Sequence, residues 1–386
     1  MSNNSNFLER AAALGHDVEK LKKGQADSKP VTVQNLDELT KLVGALHVPN
    51  PEVAAGVEGD LPTRVREHVL GGKALSNEEK EQISHLFPMQ VQTLSDPDYE
   101  VKTEVKVPIS PTAPVAYNYG KVTFQTGGYY LVQNTPFFFT ADEVMVNGIT
   151  TDKSHFTILG VDAKLGDNGG KGEDGGVGGD GGEGECSSAG IAGKGGSNGT
   201  DGKNGKDGKD GYDGGTPAPT LDTTIKIKKS LTGSALSFFT RSGSGAKGGK
   251  GGDGGKGGKG GKGGNGRTCG CTGNSGGNGG SGGNGGDGGN GGNGSDAVDA
   301  MGTITIELPS GTPKSAVYTA SARAVNGGGG DLGNGGDPND GGSGGSAGKH
   351  SGSGGTGGKG TKGNPGDRGK DGTGTGGAPA EFRIQN

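Results

Sequence analysis

The chain has 386 residues, of which 27% are hydrophobic, 4% aromatic and 92 glycine, too dilute in apolar side chains to form one ordinary globule of that length. A formal net charge of −5 and a pI near 5.8 argue against nucleic-acid binding, which usually comes with a basic face and a pI above about 9. Neither a signal peptide nor an apolar run of about 18 residues is visible, so membrane insertion and general secretory export are not expected.

Residues 5–23 space Phe7, Ala11, Leu14, Val18 and Leu21 four and three apart. This predicts a helix with a short heptad seam, either docked on its own domain or paired in an oligomeric coil, which leaves a homo-oligomer open. Asn35 with Glu38 predicts a capped second helix carrying Leu36, Leu39, Leu42, Val43 and Leu46 inward. A third starts at Pro62 and ends at Gly71-Gly72; Ser76 with Glu79 forms a capping box for a fourth, stopped before Pro88. Residues 1–98 therefore read as a helical docking or oligomerisation region. From Val101 the apolar period becomes two, through Val122, Phe124, Tyr129–Val132, Phe137–Phe139, Val144–Val146 and Phe156–Leu159, with Asn147-Gly148 as a hairpin signal. Residues 99–165 read as a β-sandwich-like domain joined by strands from 220–242, 300–326 and 379–385.

Glycine then returns every third residue in three tracts, 166–215, 243–296 and 327–378. From Gly166 to Gly214, 17 positions are spaced by three, and all but Ser187 are glycine. Such a stripe suits either a collagen triple helix or one chain folded into polyglycine helices. The tracts hold almost no proline, Pro365 being the main exception, and collagen needs it at about 15–20%. Each tract also breaks near its middle, at 185–189, 267–272 and 349–351, which reads as a turn. The expected fold class is thus mixed: a small N-terminal helical region, a β-sandwich-like domain, and a bundle of six antiparallel polyglycine II helices in three out-and-back hairpins. Arms 248–266 and 273–294 are nearly pure Gly-Gly-X and are expected in the middle, while arms 199–214 and 360–372 carry two substituted faces and are expected at edges.

No enzymatic chemistry stands out, and no cofactor is expected. The six histidines are dispersed, and no nucleophile elbow, zinc-protease or nucleotide-binding motif occurs in its required setting. Gly282–Asp287 starts like a calcium-binding β-helix repeat, but Gly289 stands where a large apolar residue is required. If the hairpins lie side by side, Cys186, Cys269, Cys271 and His350 meet at one end. That set is open to three readings: free thiols, a Cys186 disulfide between the first two turns, or a structural zinc.

At the tracts and their interruptions, the chain resembles the glycine-rich tail-fibre tip adhesins of T-even-like bacteriophages, and in its six arms the glycine-rich antifreeze protein of snow fleas. The first resemblance implies a non-enzymatic virion protein, assembled in the host cytoplasm and surface-exposed, that binds other virion or fibre proteins through residues 1–165. It further implies that distal turns meet a host cell-surface receptor, an outer-membrane protein or a glycan. By that resemblance the contact residues are Cys186, Ser187, Ser188, Arg267, Thr268, Cys269, Cys271, Thr272, Lys349 and His350. Two alternatives are a capsid-decorating or filament-forming protein that packs through glycine faces, and an ice-binding protein.

Overall fold

The computed structural model describes residues 6–46, 64–65, 68–69, 74–148 and 154–386; most of the helix expected from Pro62 lies outside them. Asn6 caps α1 (Phe7–Ala13) with a full capping box, Gly15 turns the chain at φ 76°, and the Asp17 side chain accepts from the amides of Glu19 and Lys20 to open α2 (Val18–Lys22). The single helix expected over 5–23 is therefore two, because a left-handed glycine followed by a strong N-cap makes a stop and a new start. Phe7, Ala11, Leu14 and Leu21 are buried against the chain's own elements. Strand β1 (Asp27–Val33) follows, then α3 (Leu36–Leu46), where Asn35 Oδ1 accepts from Glu38 N at 3.0 Å. The box of Ser76 and Glu79 caps α4 (Asn77–Gln82).

The strands that come next are β2 (Met89–Val101), β3 (Glu104–Lys106), β4 (Val115–Phe124), β5 (Tyr129–Gln133), β6 (Phe137–Val146), β7 (Phe156–Leu159), β8 (Thr223–Gly233), β9 (Leu236–Arg241), β10 (Thr268–Cys269), β11 (Thr272–Gly273), β12 (Thr303–Glu307), β13 (Val317–Ser321) and β14 (Glu381–Gln385). Apart from β10 and β11, which pair with each other, they alternate between two sheets. One runs β1-β2-β4-β6-β8-β12-β14 and the other β13-β9-β7-β5-β3. Every neighbour in both is parallel except β1 against β2. The chain thus coils, laying one strand on each sheet per turn. Identical positions of successive turns stack: Leu94, Tyr117, Phe139, Ile225, Ile306 and Ile384 align across the larger sheet. Tyr130, Phe156 and Phe238 align across the smaller one, their rings stacked 5.3 and 5.1 Å apart in nearly parallel planes. Phe156 is fully buried between the sheets, so this aromatic column forms the centre of the core.

This architecture corrects the expected fold class. The organising element is a large, mostly parallel sheet with few helices, not a β-sandwich of hairpins, and among the described residues no bundle of six polyglycine helices is evident. Period-two patterning marks strands but does not distinguish hairpin from crossover connections. Among the described residues, Asn147-Gly148 joins no hairpin: β6 and β7 lie in different sheets. The β region also begins earlier than residue 99, since β1 and most of β2 lie in the stretch expected to be helical.

Outside the small β10–β11 hairpin, the glycine tracts form neither α-helix nor strand. They are extended segments that prolong the two sheets. β7 and β9 pair with Leu159 opposite Arg241. The bonding then continues without a break, from Gly160 N to Arg241 O, Ala163 N to Ser244 O and Gly166 N to Lys247 O, and every third residue thereafter to Gly184 N and Asn265 O. Outgoing arms therefore lie parallel in one layer, at residues 166–184, 245–266 and 327–348, and returning arms parallel in a second, at 196–214, 276–294 and 354–372. Across the layers the arms run antiparallel, as in Gly249 N to Tyr212 O and Gly252 N to Lys209 O. The three out-and-back hairpins are thus not separate units but one two-layer lattice growing from the sheet ends.

The two segments with two glycines per triplet have neighbours on every side. From Gly276 to Ser295 each backbone N–H donates to another segment. The first glycine of each triplet bonds the last returning arm, the second bonds the middle outgoing arm, and the third N–H meets a side chain. Those third acceptors are Asn198, Asp201, Asn204, Asp207, Asp210 and Asp213, reached at 2.6–2.9 Å. Asn278, Asn284, Asp287, Asn290 and Asn293 repeat the same bond onto the last arm. Asn and Asp recur because their short side chains place an oxygen one arm away, where an unpaired amide would otherwise remain.

Both lattice edges are covered by long side chains. Lys209 and Lys203 lie over Gly170 and Gly176 of the first arm, with Cδ 3.8 and 3.6 Å from where a Cβ would stand. On the opposite edge Lys359 and Lys362 reach Asp340 and Asp337.

Candidate functional site

The lattice carries all three turns to the end far from the sheets, some twenty residues of extended backbone away, about 60 Å at roughly 3 Å per residue. There they join. Cys186 of the first turn is disulfide-bonded to Cys269 of the second, with 5.6 Å between their Cα atoms and 83 residues between them in sequence. The second turn is the small hairpin of β10 and β11, closed by Gly270 at φ 63°. Thr272 Oγ1 accepts from Ala192 N of the first turn at 3.2 Å, and Thr268 Oγ1 accepts from Lys349 N of the third at 3.1 Å. Ser351 Oγ donates to Gly273 O at 2.9 Å.

Buried Asn274 ties the base of this end together. Its Nδ2 donates to Glu185 O and Lys194 O at 2.7 and 2.6 Å, and its Oδ1 accepts from Arg267 N at 3.0 Å. The end is therefore a single cross-linked surface, with the disulfide and the side chains of Thr268, Thr272, Asn274 and Ser351 fixing the turns to one another. A cross-link between segments 83 residues apart acts mainly by restricting the unfolded chain.

The structure sorts the residues singled out from sequence. Ser188, Arg267, Cys271, Lys349 and His350 are exposed on this surface, and His350 holds a left-handed φ of 63°. Cys186 is exposed but covalently engaged; Ser187 donates its hydroxyl to Ile191 O within its own turn. Thr268 and Thr272 are exposed, with hydroxyls committed to bonds between turns. Cys269 is 2% exposed, so it holds the surface from beneath rather than forming part of it.

The zinc reading of Cys186, Cys269, Cys271 and His350 is overturned: two of the three sulfurs are bonded to each other, Cys271 is a free exposed cysteine, and no metal-ligand cluster is found among the described residues. Sequence reasoning missed Asn274, Lys194 and Ile191. For Asn274 the signal was its place directly after the turn, at the start of an otherwise pure Gly-Gly-X arm.

Outside the lattice, burial lowers the pKa of His155, whose Nδ1 accepts from Ser237 N at 3.0 Å while Nε2 donates to Gly148 O. A buried serine–histidine contact invites a catalytic reading. Here Nδ1 also meets the Ser237 hydroxyl at 2.8 Å, His155 N donates back to that hydroxyl at 3.1 Å and the ring is buried, so the pair fastens the start of β7 to β9.

Compared with known protein families, curated proteins and solved structures, the chain finds no match.

Proposed function

We propose that the chain is a non-enzymatic adhesin of a virion, whose glycine lattice holds the three distal turns against a host cell surface. The observation that carries this reading is the joining of all three turns into one covalently and hydrogen-bonded face at the free end of a long projection. A rigid contact surface loses little conformational freedom on binding, which favours recognition. The sheets and N-terminal helices supply the opposite end, through which residues 1–165 would mount the protein on other virion or fibre components.

The lattice edges bear on the alternative of a filament or capsid decoration that grows through glycine faces. Lysines stand where a further arm would have to dock, and desolvating them opposes such growth. As for ice binding, the Asn and Asp rows of the returning layer already spend one oxygen each on a neighbouring arm's amide.

The test is to exchange residues 187–191, 270–271 and 349–350 together for unrelated turn sequences, leaving the disulfide and Asn274 intact, and to measure labelled protein on the surfaces of candidate Gram-negative hosts. The exchanged protein should keep its melting temperature and lose cell binding. Unchanged cell binding would remove the adhesin role.

A further inference from the structure

We infer that the distal face recognises an acidic protein loop, one that offers two or three carboxylates beside an apolar side chain. This rests on the adhesin reading of the same face and names the chemistry of its partner. Three exposed cations, Lys194, Arg267 and Lys349, converge there from three different turns. Their backbones are fixed relative to one another: Asn274 bonds both Lys194 O and Arg267 N, and Lys349 N donates to Thr268 next to Arg267.

None of the three has a carboxylate within ion-pair distance among the described residues. Along the arms the pattern is different. Lys206 pairs with Glu173 at 2.7 Å, Lys247 with Asp331 at 3.0 Å and Lys359 with Asp340 at 3.4 Å. A protein of net charge −5 thus sets three cations at its free end against one carboxylate of the same turns, exposed Glu185, with which none of them forms an ion pair. Positive charge at a protruding end steers acidic partners towards it and away from the rest of the surface.

Charge alone would suit a phosphorylated glycan equally. Ile191 decides between them. It is 59% exposed in the first turn, the same turn in which Lys194 O is bonded to Glu185 N. A hydrated phosphate surface offers an isoleucine nothing to bury against, whereas a protein loop offers an apolar side chain beside its carboxylates.

The test uses the full-length chain with two immobilised probes, poly-L-glutamate and sodium polyphosphate. Binding to poly-L-glutamate is expected at about 50 mM salt, falling about tenfold by about 200 mM as screening shortens the reach of the charges. The K194A/R267A/K349A variant should lose about tenfold or more in affinity, while K256A/K259A/K262A, with equal charge removed from the middle arm, should retain it. Absent binding to poly-L-glutamate, or equal loss in both variants, overturns the inference. Tighter binding to polyphosphate, unaffected by Ile191→Ser, overturns it in favour of a phosphate-bearing surface. Failure here is distinguishable from failure of the adhesin reading: if turn exchange abolishes cell binding while poly-L-glutamate is ignored, only the partner's chemistry is wrong.

Discussion

Replacing Gly258 with alanine is expected to lower stability by about 3 kcal/mol or more, because the new methyl enters backbone that has no room to yield. An ideal Cβ at Gly258 lies 2.0 Å from Gly176 O and 2.6 Å from its carbonyl carbon. Those atoms belong to the first arm, which is bonded to the middle arm at every triplet, so relief at one point would break several bonds. Gly358 is the control. It sits in the last arm with nothing within 4 Å of its would-be Cβ, and alanine there should be neutral or slightly stabilising through the unfolded state. Melting temperatures of G258A and G358A decide the matter, and equal effects would mean that the arms are not packed as described.

Arg10→Ala is expected to cost about 3–5 kcal/mol, the range for breaking a buried ion pair by removing one partner. The Arg10 guanidinium is fully buried under α1, 2.7 Å from Asp142 Oδ1, with Nε donating to Asn118 Oδ1 at 2.8 Å and a second nitrogen to Tyr119 O at 3.2 Å. Asn118 in turn donates to Phe7 O and Ser95 Oγ. One side chain thus docks the N-terminal helix onto the outer face of β4 and β6. Without it Asp142 keeps Lys229 at 2.9 Å but loses its buried partner. Denaturant unfolding would give the magnitude, and proteolysis should begin in residues 6–46; a loss well under 1 kcal/mol would refute the docking role.

The packing of the neighbouring N-terminal segment on β1 and β2 is expected to be acid-sensitive. Thr93 gives its hydroxyl proton to Lys29 O, so His16 Nε2 donates to Thr93 Oγ1 at 2.7 Å, while buried Nδ1 has no hydrogen-bond partner. Burial lowers the His16 pKa below 6.5, and Lys29 and Lys20 lower it further against the opposing pull of Asp27. The unfolded chain therefore binds this proton more readily than the folded one. The contribution of neutral His16 is complete above pH 6.5 and is lost as pH falls through the depressed folded value. The loss on acidification should be smaller in His16→Gln than in the parent.

Much of this fold was legible residue by residue. The caps at Asn35 and Ser76 stand where the sequence put them, and the returning strands between tracts lie within a few residues of their expected ranges. Strand β2 was missed because the period-two pattern was read only from Val101; in the sheet its Pro97 sits opposite Gly120, whose absent side chain makes room for Pro97 O. The parallel coil was missed because pairing partners are set by connections, not by side-chain alternation. The third-position Asn and Asp of 198–213 were visible as a run, but their purpose is not. An oxygen one arm away has meaning only once two arms are known to be parallel and in register.

At the candidate site, the breaks in glycine period located the three turns, and the disulfide was among the readings that the cysteines left open. Which residues face outward was not legible. Cys269 and Cys271 are two apart in one hairpin, yet one is buried beneath the face and the other exposed upon it.

The continuous lattice is the central claim, and amide hydrogen exchange resolved to single residues tests it most directly. Every amide from Gly276 to Ser295 should exchange slowly, since each donates to another segment. In the first arm only one amide in each triplet, such as Gly169 and Gly172, donates to the neighbouring outgoing arm, and most of the remainder should exchange quickly. Uniformly fast exchange across 276–295, at the rate of an unstructured glycine peptide, would contradict the lattice and with it the rigid presentation of the distal face.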